Sequence, residues 1–429
     1  MTFHLGYGTN GFADHRLDDA LSIIAGLGYT AVEVTLDHHL DPFAVDIGAR
    51  TGRLAARLSA LGLRAVVEAG SRHLREDREG RVDFLVRAKW IAADLGAGCV
   101  SFRSGAGSAA DREQVKSVLA TALDGGPDVP LALEPEPGMA VARLDEALRL
   151  CAELGHPEPL GVTVDVGHCV AVEWQDAAAC LRRAGGLLRN VHLDDMLPGV
   201  HEHLEFGEGR LDLPDTLAAL TGIGYTGVAA VELPRHSRAA PVVASRAFES
   251  LRTAHWLARA EQEVRSDPST IRTLFPAVGR AVRAGVCEAR TRLLIAYVDS
   301  CDDAAEGLAA LYRHGTSAER LGVLRSLAGI GDRVPHTGVE LVEQALRGNE
   351  AGLVAAAMGP FAARHLDQRA WRHGVLKCLL MGIPLTVVSD LDRRADDELR
   401  RGVSAFADER RATGRSVPGD VLDLLATSD

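Results

Sequence analysis

Eight short runs rich in apolar and β-branched residues recur through the first 260 residues, each followed by a longer amphipathic stretch, and the alternation then stops. The runs are 3–8, 31–36, 64–68, 99–102, 131–134, 161–165, 189–192 and 228–232. Helical periodicity fills the intervals at 17–28, 51–62, 81–96, 111–123, 141–154, 175–185, 213–222 and 241–257. Several of these stretches end at glycine, which ends a helix without the steric cost of a left-handed residue. Eight βα units in about 255 residues match a (β/α)₈ barrel, whereas an open doubly wound sheet needs fewer.

Beyond about residue 261 the strand signal is lost, and 293–313, 317–329, 339–346, 368–381 and 395–412 all carry a helical period. The stretch Ser266-Asp267-Pro268-Ser269-Thr270 suits a linker opening a helix. The expected organisation is therefore a (β/α)₈ TIM barrel over 1–262 followed by an all-α domain over 263–429. No fixed-period repeat stands out in the helical part, which leaves an α-solenoid undemonstrated.

The net charge of −12 sits mostly in the barrel: residues 1–260 hold 25 basic and 35 acidic residues, against 22 and 24 in 261–429. That balance argues against nucleic acid, whose binding needs a basic stripe to displace counterions. No stretch of 18 apolar residues occurs, the best being 374–388, broken by Lys377 and Pro384, so no membrane span is expected. The first residues show no basic start followed by an apolar core, and a cytoplasmic location is the expectation. Seven cysteines with no C-x-x-C pair read as reduced, buried thiols.

In such a barrel the chemistry gathers at the C-terminal ends of the strands. Runs one to four end in Gly8-Thr9-Asn10, Asp37-His38-His39, Glu68 and Arg103, and runs five to eight deliver Glu134, Asp165, His192 and Glu232. Burying three carboxylates together without a cation costs several kcal/mol apiece. A divalent metal held by His192, Glu134, Asp165 and Glu232 removes the conflict, and the oxygen-rich set favours Mn²⁺, Mg²⁺, Co²⁺ or Zn²⁺. The alternative is that individual members cap helices or pair with Arg189, Arg210 or Arg235. If the segment after run seven is extended, His201 and His203 face one way. With His168 they then make a candidate second metal site; a solvated loop with one substrate-contacting histidine is the alternative.

Weaker signals accompany these. Gly105-Ala106-Gly107-Ser108-Ala109-Ala110 satisfies a dinucleotide pattern only superficially, because it falls in the fourth loop of a barrel. A flexible loop, or a backbone cradle for an anion helped by Arg103, are the readings left. Glu136 stands behind Glu134. Tyr7, Phe12, Trp174 and Phe206 lie near strand ends, divided between sugar contacts and ordinary packing. Glu33, inside the second run, reads as a buried group with a structural partner.

The ordered series E…D-x-G-H…H-x-D-D…H-x-x-x-G-E-G…E, carried by Glu134, Asp165–His168, His192–Asp195, His203–Gly209 and Glu232, resembles the xylose-isomerase-like TIM-barrel superfamily of sugar-phosphate isomerases/epimerases and endonuclease IV. The resemblance covers about residues 1–260. It implies that Glu134, Asp165, His192 and Glu232 are metal ligands, with Glu134 and Glu232 also exchanging the substrate proton in the ketose-epimerase branch. It further implies that His168 touches a substrate oxygen with His203 beside it. Arg103, Arg235 and Glu136 complete the expected substrate contacts. The endonuclease branch adds histidines after strands three and four, where this chain has Glu68 and Arg103. Its third zinc site is matched by His168, His201 and His203, with His201 in place of an aspartate.

Residues 293–315 and 363–385 resemble the EboA domain, a family of bacterial gene clusters associated with metabolite traffic, over about 270–425. Tyr297, Asp299, His365 and Trp371 are its notable polar or aromatic residues, better suited to structure than to a binding surface. The expected function is metal-dependent isomerisation or epimerisation of a small polyhydroxylated carbonyl compound, be it a sugar, a sugar phosphate or an inosose. A non-catalytic metabolite-binding or traffic protein, and an endonuclease IV-like phosphodiesterase, are the alternatives. A homodimer and partner proteins of a metabolite-traffic cluster are the assemblies this implies.

Overall fold

A computed structural model describes residues 2–71, 74, 76–107 and 111–426, with the backbone alone at 37 and 38. It divides into two compact units, Met1–Ala258 and Arg259–Asp429.

In the first unit eight parallel strands close into a barrel: β1 (His4–Gly8), β2 (Ala31–Thr35), β3 (Arg64–Glu68), β4 (Val100–Arg103), β5 (Leu131–Glu134), β6 (Leu160–Asp165), β7 (Leu188–Leu193) and β10 (Val228–Val231). Chain order is ring order, and β1 closes the ring on β10 with Gly6 opposite Ala230. The intervening helices stop where the glycines stand: Gly28, Gly62 and Gly96 all have positive φ, at 103°, 67° and 62°.

Alternation along each strand sorts the residues into two sets. Outward-facing Val32, Val34, Val67, Leu131, Leu133, Val162, Val164, Val191 and Val231 join the helices in one continuous core. The lumen is filled differently. Its lower layer is small, with Ala31, Val66, Cys99, Ala132, Val228 and Ala230 packed together. A Cβ on Gly6 would meet Val228 Cγ1 at 3.0 Å. The layer above is polar, with Glu33, Ser101, Thr163 and Asn190 all buried.

A short antiparallel hairpin of β8 (Asp195–Leu197) and β9 (Val200–Leu204) follows β7 directly. A three-residue strand abutting a barrel strand leaves no periodic trace in the sequence, so it was legible only as the condition attached to His201 and His203. That segment is extended.

The second unit is helical throughout its described residues. The amphipathic stretch 293–313 is two helices rather than one, Val286–Ser300 and Ala305–His314. Asp303 breaks it, accepting the N–H of Ala305 on Oδ1 at 3.1 Å to start the second. Ala351–Ala357 and Pro360–His365, absent from the sequence expectation, are too short to show a period. The helix Ala240–Ser266 continues past residue 262, and the expected linker is a 3₁₀ turn, Pro268–Thr270, capped by Asp267. Among the described residues no helix is long and apolar enough to cross a membrane.

Candidate metal centre

Glu134 ends β5, Asp165 ends β6, His192 lies on β7 and Glu232 follows β10, so consecutive positions around one rim converge. All four are buried, and one donor atom from each lies within 4.8 Å of the others. His192 Nδ1 stands 3.0 Å from Glu134 Oε1 and 2.9 Å from Glu232 Oε2. Burial opposes a charge on His192, but Glu33, Glu232 and Glu134 outweigh it and hold the imidazole well above its usual range. Burial likewise opposes the charge on the two rim glutamates, yet His192 keeps Glu134 low and Glu232 very low. Asp165 is driven the other way, raised by burial and by Asp194.

These residues fit a divalent cation. Asp165 Oδ2 is buried and has no hydrogen-bond partner among the described residues, and a carboxylate oxygen in that state asks for a cation or proton. One imidazole and three carboxylates are a suitable donor set for a borderline or hard divalent ion.

The D-x-G-H segment follows from local geometry. Asp165 caps the helix Val166–Val172 by accepting the N–H of His168 on Oδ1 at 2.8 Å, leaving Oδ2 to the rim. Gly167 donates its N–H to Asp194 Oδ1 at 3.0 Å, and a Cβ there would fall on the Asp194 carboxylate. His168 therefore points at the rim, with Nδ1 3.1 Å from the Pro135 carbonyl and Nε2 3.0 Å from His201 Nε2. Burial pushes His168 down to about 3. His203 Nδ1 lies 2.7 Å from Asp194 Oδ2; although burial opposes its charge, the Asp194 bond helps lift it to about 10. Two further groups of donors meet here, His168 with His201 and His203, and Asp165 with Asp194 and His203.

Arg103 lies at the same rim between two carboxylates, 3.2 Å from Glu136 and 4.0 Å from Glu68. Burial pushes Glu68 up to about 8 and Glu136 up to about 7. Arg235 stands apart, on the exposed 3₁₀ turn Pro234–Ala239 in a pair with Glu202. Tyr7 and Phe12 are fully buried in the core with rings edge to face at 5.3 Å, and Phe206 packs against that core. Trp174 is 89% exposed, under the guanidinium of Arg143.

Further side chains take part at the rim, and of these Thr35 and Asn190 carry no expectation from the sequence. Asn10 donates from Nδ2 to Glu232 Oε1 at 2.9 Å and, at 3.5 Å, to Glu68 Oε2. Thr35 donates to Glu68 Oε2 at 2.7 Å. Asn190 donates to Glu33 Oε1 at 2.8 Å, and Glu33 Oε2 approaches His192 Nε2 at 2.8 Å. The available signal was a polar side chain at an inward position of an otherwise apolar strand. In the glycine-rich segment, Gly105 has φ of 92° and Ala106 bridges Met139, while Ser108, Ala109 and Ala110 lie outside the described residues, as do the side chains of Asp37 and His38.

Residues 21–258 match the family described as xylose isomerase-like TIM barrel. The chain belongs to that family. A second match, over residues 286–426, is to the family described as metabolite traffic protein EboA, so this xylose isomerase-like barrel is fused to an EboA-like domain. No curated protein matches the sequence. Among solved structures, an L-ribulose 3-epimerase is similar at 21% identity and a TM-score of 0.49, covering 61% of this chain and 97% of its own. A D-allulose 3-epimerase from Methylomonas sp. follows at 18%, with a TM-score of 0.47 over 59% of this chain and 98% of the other. A probable 3-DHS dehydratase from Bacillus anthracis, at 14% and 0.49, covers 58% and 98%. These likenesses concern the barrel fold.

In the EboA-like unit, Trp371 is fully buried beneath the Arg394 guanidinium, 4.9 Å from its ring centroid, and Tyr297 is buried. Asp299 pairs with Arg333, and His365 lies 2.8 Å from Asp332 while stacking on Phe361. Each of the four residues thus has a packing or pairing partner.

Proposed function

We propose that the barrel is a metal-dependent isomerase or epimerase moving a proton beside the carbonyl of a small polyhydroxylated compound. The observation that carries this reading is the convergence of Glu134 and Glu232 on one nitrogen of His192, with Asp165 beside them. Glu134, Asp165, His192 and Glu232 would hold Mn²⁺, Mg²⁺, Co²⁺ or Zn²⁺. Such an ion supplies Lewis-acid polarisation of a carbonyl and its neighbouring hydroxyl.

The chain's own groups do the proton work. Glu134 and Glu232 enter from β5 and from the end of β10, with β6 and β7 between them in the ring. One carboxylate takes the α-proton and the other returns it, a division suited to bases on two sides of a substrate plane. His168, kept neutral by burial, steadies a substrate oxygen, and His203 stands beside it. Arg103, paired with Glu136, or Arg235 would hold a distal anionic group. Alternatively, His168, His201 and His203 would hold a second ion.

A second reading, metabolite binding without turnover, is favoured by the EboA match at residues 286–426. Incubation with ketoses, inososes and hydroxypyruvate in deuterated water separates the two. Exchange of the α-proton that Glu232→Gln abolishes supports the enzyme. Saturable binding without exchange supports the carrier, and full exchange in Glu232→Gln or in metal-stripped protein overturns the mechanism.

A further inference from the structure

Glu33 is a carboxylate near the metal centre that the proposed chemistry does not use, at 1% exposure in the middle of β2. Burying an ionisable group so completely costs several kcal/mol unless its oxygens are engaged. Each has a polar neighbour. Oε1 accepts from Asn190 Nδ2 at 2.8 Å, and Oε2 is in ion-pair contact with His192 Nε2 at 2.8 Å, outside hydrogen-bond alignment.

The geometry is specific to this barrel's filling. β2 and β7 are not neighbours in the ring, because β1 and β10 stand between them. Glu33 reaches β7 across the lumen, over a layer in which Gly6, Ala31, Ala132 and Ala230 stand beside Val66, Cys99 and Val228. Asn190 and His192 are two apart on β7, so both side chains face inward and present two donors to one carboxylate. The Asn190 bond leaves Oε2 directed at the imidazole.

An imidazole ligand has two nitrogens, and the partner of one decides which of them meets the metal. Here Nε2 stands 2.8 Å from Glu33 Oε2 in an ion-pair contact, while Nδ1 faces Glu134 and Glu232. We infer that Glu33 is a positioning residue for the metal centre: its carboxylate sits against Nε2 of His192 and so commits Nδ1 to the ion, with Asn190 orienting Glu33. The inference rests on the metal reading of the rim and names the group that fixes its imidazole ligand.

The test compares divalent-ion affinity of the full chain and of Glu33→Gln, using Mn²⁺ and Co²⁺ in competition with a chromophoric chelator. The glutamine has one acceptor for two donors, so affinity falls by about 10- to 100-fold and the visible spectrum of the Co²⁺ form changes, while far-ultraviolet circular dichroism stays that of wild type. Equal affinity and an identical Co²⁺ spectrum would overturn the inference. Should the variant fail to fold, wild type decides alone: NMR of Cd²⁺-loaded protein with isotope-labelled histidine shows the ion coupled to Nδ1 of His192. Coupling through Nε2 overturns the role of Glu33 and leaves the metal reading standing, whereas wild type that binds no divalent ion overturns both.

Discussion

Asp195 accepts the backbone N–H of Gly209 on Oδ2 at 3.0 Å, and a Cβ at Gly209 would fall on that same aspartate. The carboxylate also receives the N–H groups of Met196, Gly207 and Leu211. Asp195 thereby ties the segment 207–211 back to the first strand of the β8–β9 hairpin, which carries His201 and His203. Replacing Asp195 by Ala leaves these donors without an acceptor and costs ~2–4 kcal/mol. Limited proteolysis is expected to cut within 195–211 in Asp195→Ala and in Gly209→Ala before any other barrel segment.

An ion held at the rim would stabilise the barrel by mass action. At 100 times its dissociation constant a ligand adds ~2.7 kcal/mol, worth ~5–10 °C in a unit of this size. A thermal scan with Mn²⁺ against the same protein in chelator is expected to show that rise. Glu134→Gln, which weakens the donor set, removes most of it.

Glu68 provides a pH signature in metal-free protein. Its carboxyl is pushed up to about 8, chiefly by burial and then by Glu232 and Glu33, with Arg103 opposing. Between the ordinary carboxylate range and about 8 the folded chain keeps a proton that the unfolded chain has released. Stability from this group is therefore lost as pH rises through that window. Glu68→Gln has no such dependence, so its stability relative to wild type is expected to increase steadily from acid to mildly alkaline pH in denaturant titrations. A constant difference would show that Glu68 titrates normally.

In the EboA-like unit Arg394 closes the end of the helix Pro360–His365. Its guanidinium donates to the carbonyls of Ala362, Ala363 and Leu366 at 3.1, 2.8 and 2.9 Å and lies over Trp371. A cation at a helix C-terminus meets the last unpaired carbonyls and the negative end of the dipole. Arg394→Met is expected to cost ~1–3 kcal/mol and Trp371→Ala ~3–5 kcal/mol, read as loss of the transition belonging to this unit in calorimetry.

Much of the architecture was legible before any coordinates. Eight strands are read from runs that differ from the observed ones by a residue or so at their ends, because a run of four to six apolar residues between amphipathic helices is too short for a helix and too apolar for an exposed loop. The convergence of Glu134, Asp165, His192 and Glu232 on one rim is legible for a related reason: each stands at or just past the end of an apolar strand. The break at Asp303 and the two short helices after Glu350 were not legible, because one or two helical turns carry too little period.

The sequence by itself determined which elements form and which side chains end at one rim, since both depend on local periodicity and strand polarity. Only the tertiary structure decided which of those groups touch. Asn10 meets Glu232 across 222 residues, and Asn190 meets Glu33 across 157. Ring closure of β1 on β10 makes the first contact, and the facing of β2 and β7 across the closed lumen makes the second. Neither cause is local, so neither leaves a mark on the residues beside it.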